Sequence, residues 1–203
     1  MGDLHTIRTK TRAAGEMVHF LLPSRVQCLA LMESHGMLPH IRRHSLLVTA
    51  VASFLGQVLL AAGFELHLNL IEAGALLHDL GKTPCLGTSE NHAHCGAAIL
   101  TSLGYPEVAQ VVKEHVRLEP APADPRPLRE AEVVNYADKR VLHTRVVTLA
   151  ERFADLKTRY GRTPEALSRI RAMEVKTLTL EDKIFAPLNL TPLDLMNPNH
   201  FRR

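Results

Sequence analysis

The sequence predicts an all-α fold, a single-domain helical bundle, and three observations carry that reading. Apolar residues recur at helical spacing along most of the 203-residue chain. Gly, Pro and short polar breaks punctuate them at helix-length intervals, and β-branched runs with strict alternation are nearly absent. A chain of this size with 46% hydrophobic residues can bury roughly 70% of the surface its unfolded form exposes, so it needs no staples.

The first helix is expected from Pro23 to about His35, with the proline in its first turn. Met37-Leu38-Pro39 resets the chain before a longer helix from about His40 to Ala62, and Gly63 reads as its C-cap. From Ser45 in that helix to Phe64 the chain carries no charge, a length at which a membrane span is considered. Thr49, Ser53, Gly56 and Gln57 interrupt it and no second span follows, so a central helix buried on all sides is expected.

A third helix is expected from about Leu68 to Leu80, with Gly81 as a left-handed cap, which puts His78 and Asp79 in its last turn. After a loop from Lys82 to Glu90, helices are expected at about 91–103, 106–118, 129–142, 144–160 and 164–174. The connection EPAPADPRP is too rich in proline for anything but an extended strand of chain. Residues 1–174 are therefore read as one helical domain with its core at about 20–160, and 175–203 as a tail packed on the domain or partly disordered.

A net charge of +3 arises from 24 basic and 21 acidic residues that are interspersed. No basic tract points to nucleic acid or to a membrane surface. The N-terminal MGDLHTIRTKTRAAGEMVHFLLP has no apolar core of a secretory signal. Cys28, Cys85 and Cys95 match neither a disulfide framework nor a paired-thiolate zinc site, and read as small apolar residues in a reducing, cytoplasmic setting.

The chemistry lies in a few imidazoles and carboxylates embedded in apolar helical sequence: His44 in HIRRHSLLVTAVA, His78 and Asp79 in LIEAGALLHDLGK, His92 in NHAHCGAAIL, His115 in VVKEHVRL and Asp138 in VVNYADKRV. Such groups are expensive to bury unless paired or bound to a metal. A single histidine on an apolar face is more often a satisfied core residue; the joint pattern reverses that reading. Adjacent His78 and Asp79 point about 100° apart on a helix, so they share an ion only if it lies beside the helix end. Mixed His and Asp donors suit Mn, Fe, Co, Ni or Zn. Without cysteine among them the centre is not a closed structural zinc site, and open coordination positions imply catalysis.

The order His44, then His78-Asp79 followed by Gly81-Lys82, then a distant Asp138 resembles the HD-domain superfamily of metal-dependent phosphohydrolases, over about residues 20–160. The resemblance implies an HD-type helical domain in which these four residues are the defining ligands. His92, four residues before a Gly-Ala pair, and His115 match the additional ligands of a two-metal subset, similar to bacterial HD proteins that hydrolyse dinucleoside tetraphosphates. Gly104-Tyr105-Pro106 is unaccompanied by the His-His-Glu signature of cyclic-dinucleotide phosphodiesterases and reads as a helix-opening turn.

The implied cofactor is one or two divalent transition-metal ions per chain, with Asp79 bridging a pair, and the implied substrate is a phosphorylated small molecule, a nucleotide or another ester or anhydride. Such ions lower the pKa of a bound water and neutralise charge growing on the phosphoryl oxygens. Lys82 is placed to meet a phosphate oxygen, or else to complement a helix C-terminus, and Arg140 or Lys139 to meet a phosphate oxygen beside Asp138. His94 competes with His92, and His40 reads as a surface residue. Glu72, His143 and Arg145 are expected around the site or at the surface; His5, His19, His35, His67 and His200 receive no role. Two other functions fit the same ligand set: a di-iron oxygenase, marked by oxygen consumption, and a non-catalytic nucleotide-binding regulatory module, marked by binding without turnover.

Overall fold

Ser24 begins the helical part of the chain. In this computed structural model, which describes residues 7–11, 17–119 and 127–201, the Ser24 hydroxyl accepts from the Gln27 amide while the Ser24 amide donates to Gln27 Oε1. This reciprocal cap starts α1 (Arg25–Ser34) just after Pro23 instead of on it. Ahead of it, β1 (Ile7–Thr11) and β2 (Met17–Phe20) pair antiparallel. The proline-rich connection and much of the N-terminal segment, His5 included, fall outside the described residues.

Pro39 opens α2 (Pro39–Ala61), and Gly63, at φ 91°, turns the chain out of it as expected. Val48, Ala52, Leu55 and Leu59 recur at steps of four, three and four, so they form one buried face. That face packs on α3 (Leu68–Leu77) and α6 (Glu130–Lys139). Leu46 and Leu60 on other sides are exposed, so the helix is buried along one side and not all round. Length and composition alone would let α2 cross a membrane; here its apolar face packs inside the domain.

The third helix ends at Leu77, and turns follow through Gly87. Gly81 is not a left-handed cap. A Cβ there would collide with the His92 carbonyl oxygen and the Gly96 amide, so glycine is required because two backbones meet. The second backbone belongs to α4 (His92–Ser102), whose Asn91 cap accepts from the Ala93 amide. Gly104 at φ 83° and Tyr105 then lead into α5 (Pro106–Glu114) through the expected opening turn.

Helix α6 stops at Lys139, short of the expected 142, because a tight hairpin follows: β3 (Val141–Leu142) and β4 (Arg145–Val146), with His143 at φ 57° in the turn. The next helix is accordingly shorter than expected, α7 (Leu149–Tyr160), capped by Thr148 and Glu151. Helix α8 (Pro164–Phe185) runs past the expected end near 174. Its buried Ile170, Thr177, Leu180 and Ile184 continue one helical face into what composition marked as a tail. Two 3-10 turns, Pro192–Met196 and Pro198–Phe201, close the described chain. Leu195 is buried and Phe201 stacks edge-on against Phe54 of α2. The domain is mostly helical, as the sequence predicts.

Candidate metal centre

Five helices bring their ends or inner faces to one point. α2 supplies His44, the residues just past α3 supply His78 and Asp79, the first residue of α4 is His92, the residue past α5 is His115, and α6 supplies Asp138. His44 Nε2 lies 3.0 Å from Asp138 Oδ1 and 4.0 Å from Asp79 Oδ2. His78 Nε2 lies 3.3 Å from Asp79 Oδ2 and 3.6 Å from Asp138 Oδ1. On the other side of the same carboxylate, Asp79 Oδ1 lies 3.7 Å from His92 Nε2 and 3.6 Å from His115 Nε2. The two imidazole nitrogens are themselves 3.1 Å apart.

Local structure sets the ring orientation. His78 and His115 are the C-cap residues of α3 and α5, where helix carbonyls lack amide partners. Each ring turns its Nδ1 to the carbonyl three residues back, Ala75 at 2.8 Å and Val112 at 2.6 Å. His44 Nδ1 does the same with the distant His143 carbonyl at 3.2 Å. Donation from Nδ1 turns each Nε2 toward the shared point, so that the neutral ring is in the tautomer a metal ligand requires. His78 Nε2 and Asp79 Oδ1 are buried without a hydrogen bond. Orphaned donor atoms among carboxylates fit a cation better than they fit a sealed core.

Residues 41–156 match the family model of the HD domain. The chain belongs to the HD-domain family. Its members are typically metal-dependent phosphohydrolases, and the buried His/Asp cluster agrees with a metal site. The chain is 27% identical over 143 residues to the uncharacterized protein MJ0778 of Methanocaldococcus jannaschii, a match covering 64% of this chain and 83% of that one. It is also 33% identical over 97 residues to a tRNA (cytidine(56)-2'-O)-methyltransferase of Thermoplasma volcanium. That match covers 47% of this chain and only 27% of the methyltransferase. No solved structure matches significantly.

The electrostatics of this HD domain favour positive charge at its centre. Burial alone would raise the Asp79 carboxyl, but His78 and Lys82 beside it outweigh burial and hold it well below the usual carboxylate range. Asp138 is buried too and is lowered in the same way by Lys139, His44 and His78. Burial disfavours the His78 imidazolium, yet the two carboxylates pull that group up to about 9. His92 is pushed down to about 4 by burial and by His115. His115 is also lowered, burial again leading.

The six residues singled out as metal ligands thus lie together in the HD domain. His94 is on the exposed side of α4 and His40 is exposed, so neither joins them. Lys82 Nζ reaches Asp79 Oδ2 at 2.7 Å from a side chain 39% exposed. Arg140 must be corrected as a substrate contact. It is fully buried, and its guanidinium donates to the Val147 and Pro192 carbonyls and to the Tyr136 hydroxyl, with Glu181 3.4 Å away. Helical spacing explains the error: Tyr136 and Arg140, four apart, face α8, whereas Asn135, Asp138 and Lys139 face the centre.

Asn135 was missed by sequence reasoning, and Lys139, expected to meet a phosphate oxygen, supports the centre instead. Asn135 Nδ2 donates to the Glu114 and His115 carbonyls at 3.0 and 2.9 Å, and Lys139 Nζ to the His115 carbonyl at 3.1 Å and to Asp138 Oδ2 at 2.7 Å. The face shared with Asp138 in NYADK was the available signal for both. The His143 carbonyl that orients His44 had none, since any residue supplies a carbonyl.

Proposed function

We propose that this HD domain hydrolyses a phosphate ester or anhydride of a small molecule, a nucleotide foremost, at a centre for two divalent transition-metal ions. The carrying observation is the division of Asp79. Its Oδ2 faces His44 and His78, with Asp138 against both, while its Oδ1 faces His92 and His115. Two donor sets sharing one carboxylate are what a bridged pair of ions needs, and the His/Asp chemistry suits Mn, Fe, Co, Ni or Zn.

Ions held there supply an activated water and neutralise charge on the phosphoryl group. The remaining work falls to the chain. Asp79 orients both donor sets from one buried position, and the backbone carbonyls of Ala75, Val112 and His143 keep three rings aimed inward. Lys82, half-exposed at the edge, is able to turn its ammonium from Asp79 toward a phosphate oxygen. Lys139 is occupied with Asp138 and the His115 carbonyl, so its role is positioning.

Protein isolated without chelators should contain two ions per chain. After loading with Mn, Fe, Co or Ni it should release phosphate or nucleotide from a panel of nucleoside phosphates and dinucleotides. Asp79→Asn should abolish both metal retention and turnover. Inactivity of the wild type across that panel would count against the reading, and dependence on dioxygen would move it to oxygenase chemistry.

A further inference from the structure

Outside the His/Asp centre, a second set of ligating side chains meets. Cys85 lies in the loop after Lys82, Glu90 near the end of that loop, and Cys95 in the first turn of α4. Their donor atoms all lie within 4.8 Å of one another. Cys85 is buried, Cys95 half-buried and Glu90 exposed, and Cys85 Sγ points to Glu90 Oε2 at 3.9 Å. By composition the three cysteines read as small apolar residues, Cys85 and Cys95 ten positions apart. The fold instead turns the loop back so that the two thiols and a carboxylate converge.

From this geometry we infer that Cys85, Glu90 and Cys95 form a separate site for a thiophilic divalent cation, Zn2+ foremost, with solvent in the fourth position. Zinc–sulfur bonds of about 2.3 Å in a tetrahedron set the sulfurs roughly 3.8 Å apart, a spacing within the 4.8 Å that bounds the separations of these three donors. Binding balances simply: each thiol releases its proton to solvent, and two thiolates with one carboxylate leave a single net negative charge around the ion. The third donor distinguishes this arrangement from a disulfide pair, which has no use for a carboxylate. An ion there would tie the loop that carries Lys82 to the helix whose first residue is His92. The inference does not depend on the phosphohydrolase reading.

Reduced, metal-free protein is titrated with Co2+ under anaerobic conditions. An intense near-ultraviolet thiolate-to-cobalt band should appear and be displaced by Zn2+, and with the His/Asp centre disabled it should saturate at one equivalent. The band should persist in Asp79→Ala, which disables the other centre, and vanish in Cys85→Ser/Cys95→Ser. In Glu90→Gln it should need at least about tenfold more Co2+. As a check independent of the variants' folding, Zn2+ should slow alkylation of Cys85 and Cys95 in wild type, mapped by peptide mass. No thiolate band in the wild type, a band surviving the double substitution, or alkylation indifferent to Zn2+ would overturn the inference.

Discussion

Asp79 Oδ1 and His115 Nε2 face each other at 3.6 Å, while the other oxygen of that carboxylate lies 3.3 Å from His78. One side chain therefore belongs to two donor sets that are otherwise disjoint. His92→Ala removes a donor from the Oδ1 side alone and should leave one ion per chain. His44→Ala should do the same from the other side, and Asp79→Asn should lose both. Metal analysis of the three purified variants checks this; equal losses in all three would mean one undivided site.

Lys82 is the cation at the edge of the centre, 2.7 Å from Asp79 and part exposed. Lys82→Ala should lower kcat/KM by about 10–100-fold, the worth of one charge-assisted contact, with metal content unchanged. Lys82→Arg should restore part of the loss. If the lysine serves only as the counter-ion of Asp79, metal content changes instead and kcat/KM recovers on adding metal.

Gly81 separates the Asp79 turn from α4 by the thickness of two backbones. A methyl group there meets the His92 carbonyl and the Gly96 amide, which no rotamer change relieves. Gly81→Ala should cost about 1–3 kcal/mol, as overpacking does, with Tm lowered by about 2–4 °C for each kcal/mol. Because the turn positions Asp79 and Lys82, bound metal should fall with it. Unchanged melting and full metal content would show that the two segments separate freely.

Cys28 carries a pH signature remote from the centre. Burial, with Glu72 adding to it, pushes its thiol from 9.0 up to about 12. Above about pH 9 the unfolded chain releases this proton and the folded chain keeps it, so the folded state binds more protons. Stability must then fall as pH rises, by up to about 1.4 kcal/mol per unit until the folded thiol ionises. Cys28→Ala lacks this loss. Urea unfolding at a series of alkaline pH values should show the wild-type advantage over the variant narrowing from about pH 9 upward; parallel curves would refute it.

The sequence by itself determined the helical class, the order of the helices and the six residues that meet. Apolar spacing and the junction of charged groups with apolar helix faces are local signals. Tertiary structure alone decided which ends helices adopt and which way side chains on one helix turn. It sent Arg140 into the core against α8 while Asp138 and Lys139 stayed at the centre, and it extended α8 to Phe185 because Leu180 and Ile184 have a core to bury against. It also gave His44 the His143 carbonyl, 99 positions along the chain, and made neighbours of Cys85 and Cys95. Such choices depend on which surfaces are available after folding, and a one-dimensional pattern of polar and apolar residues does not contain them.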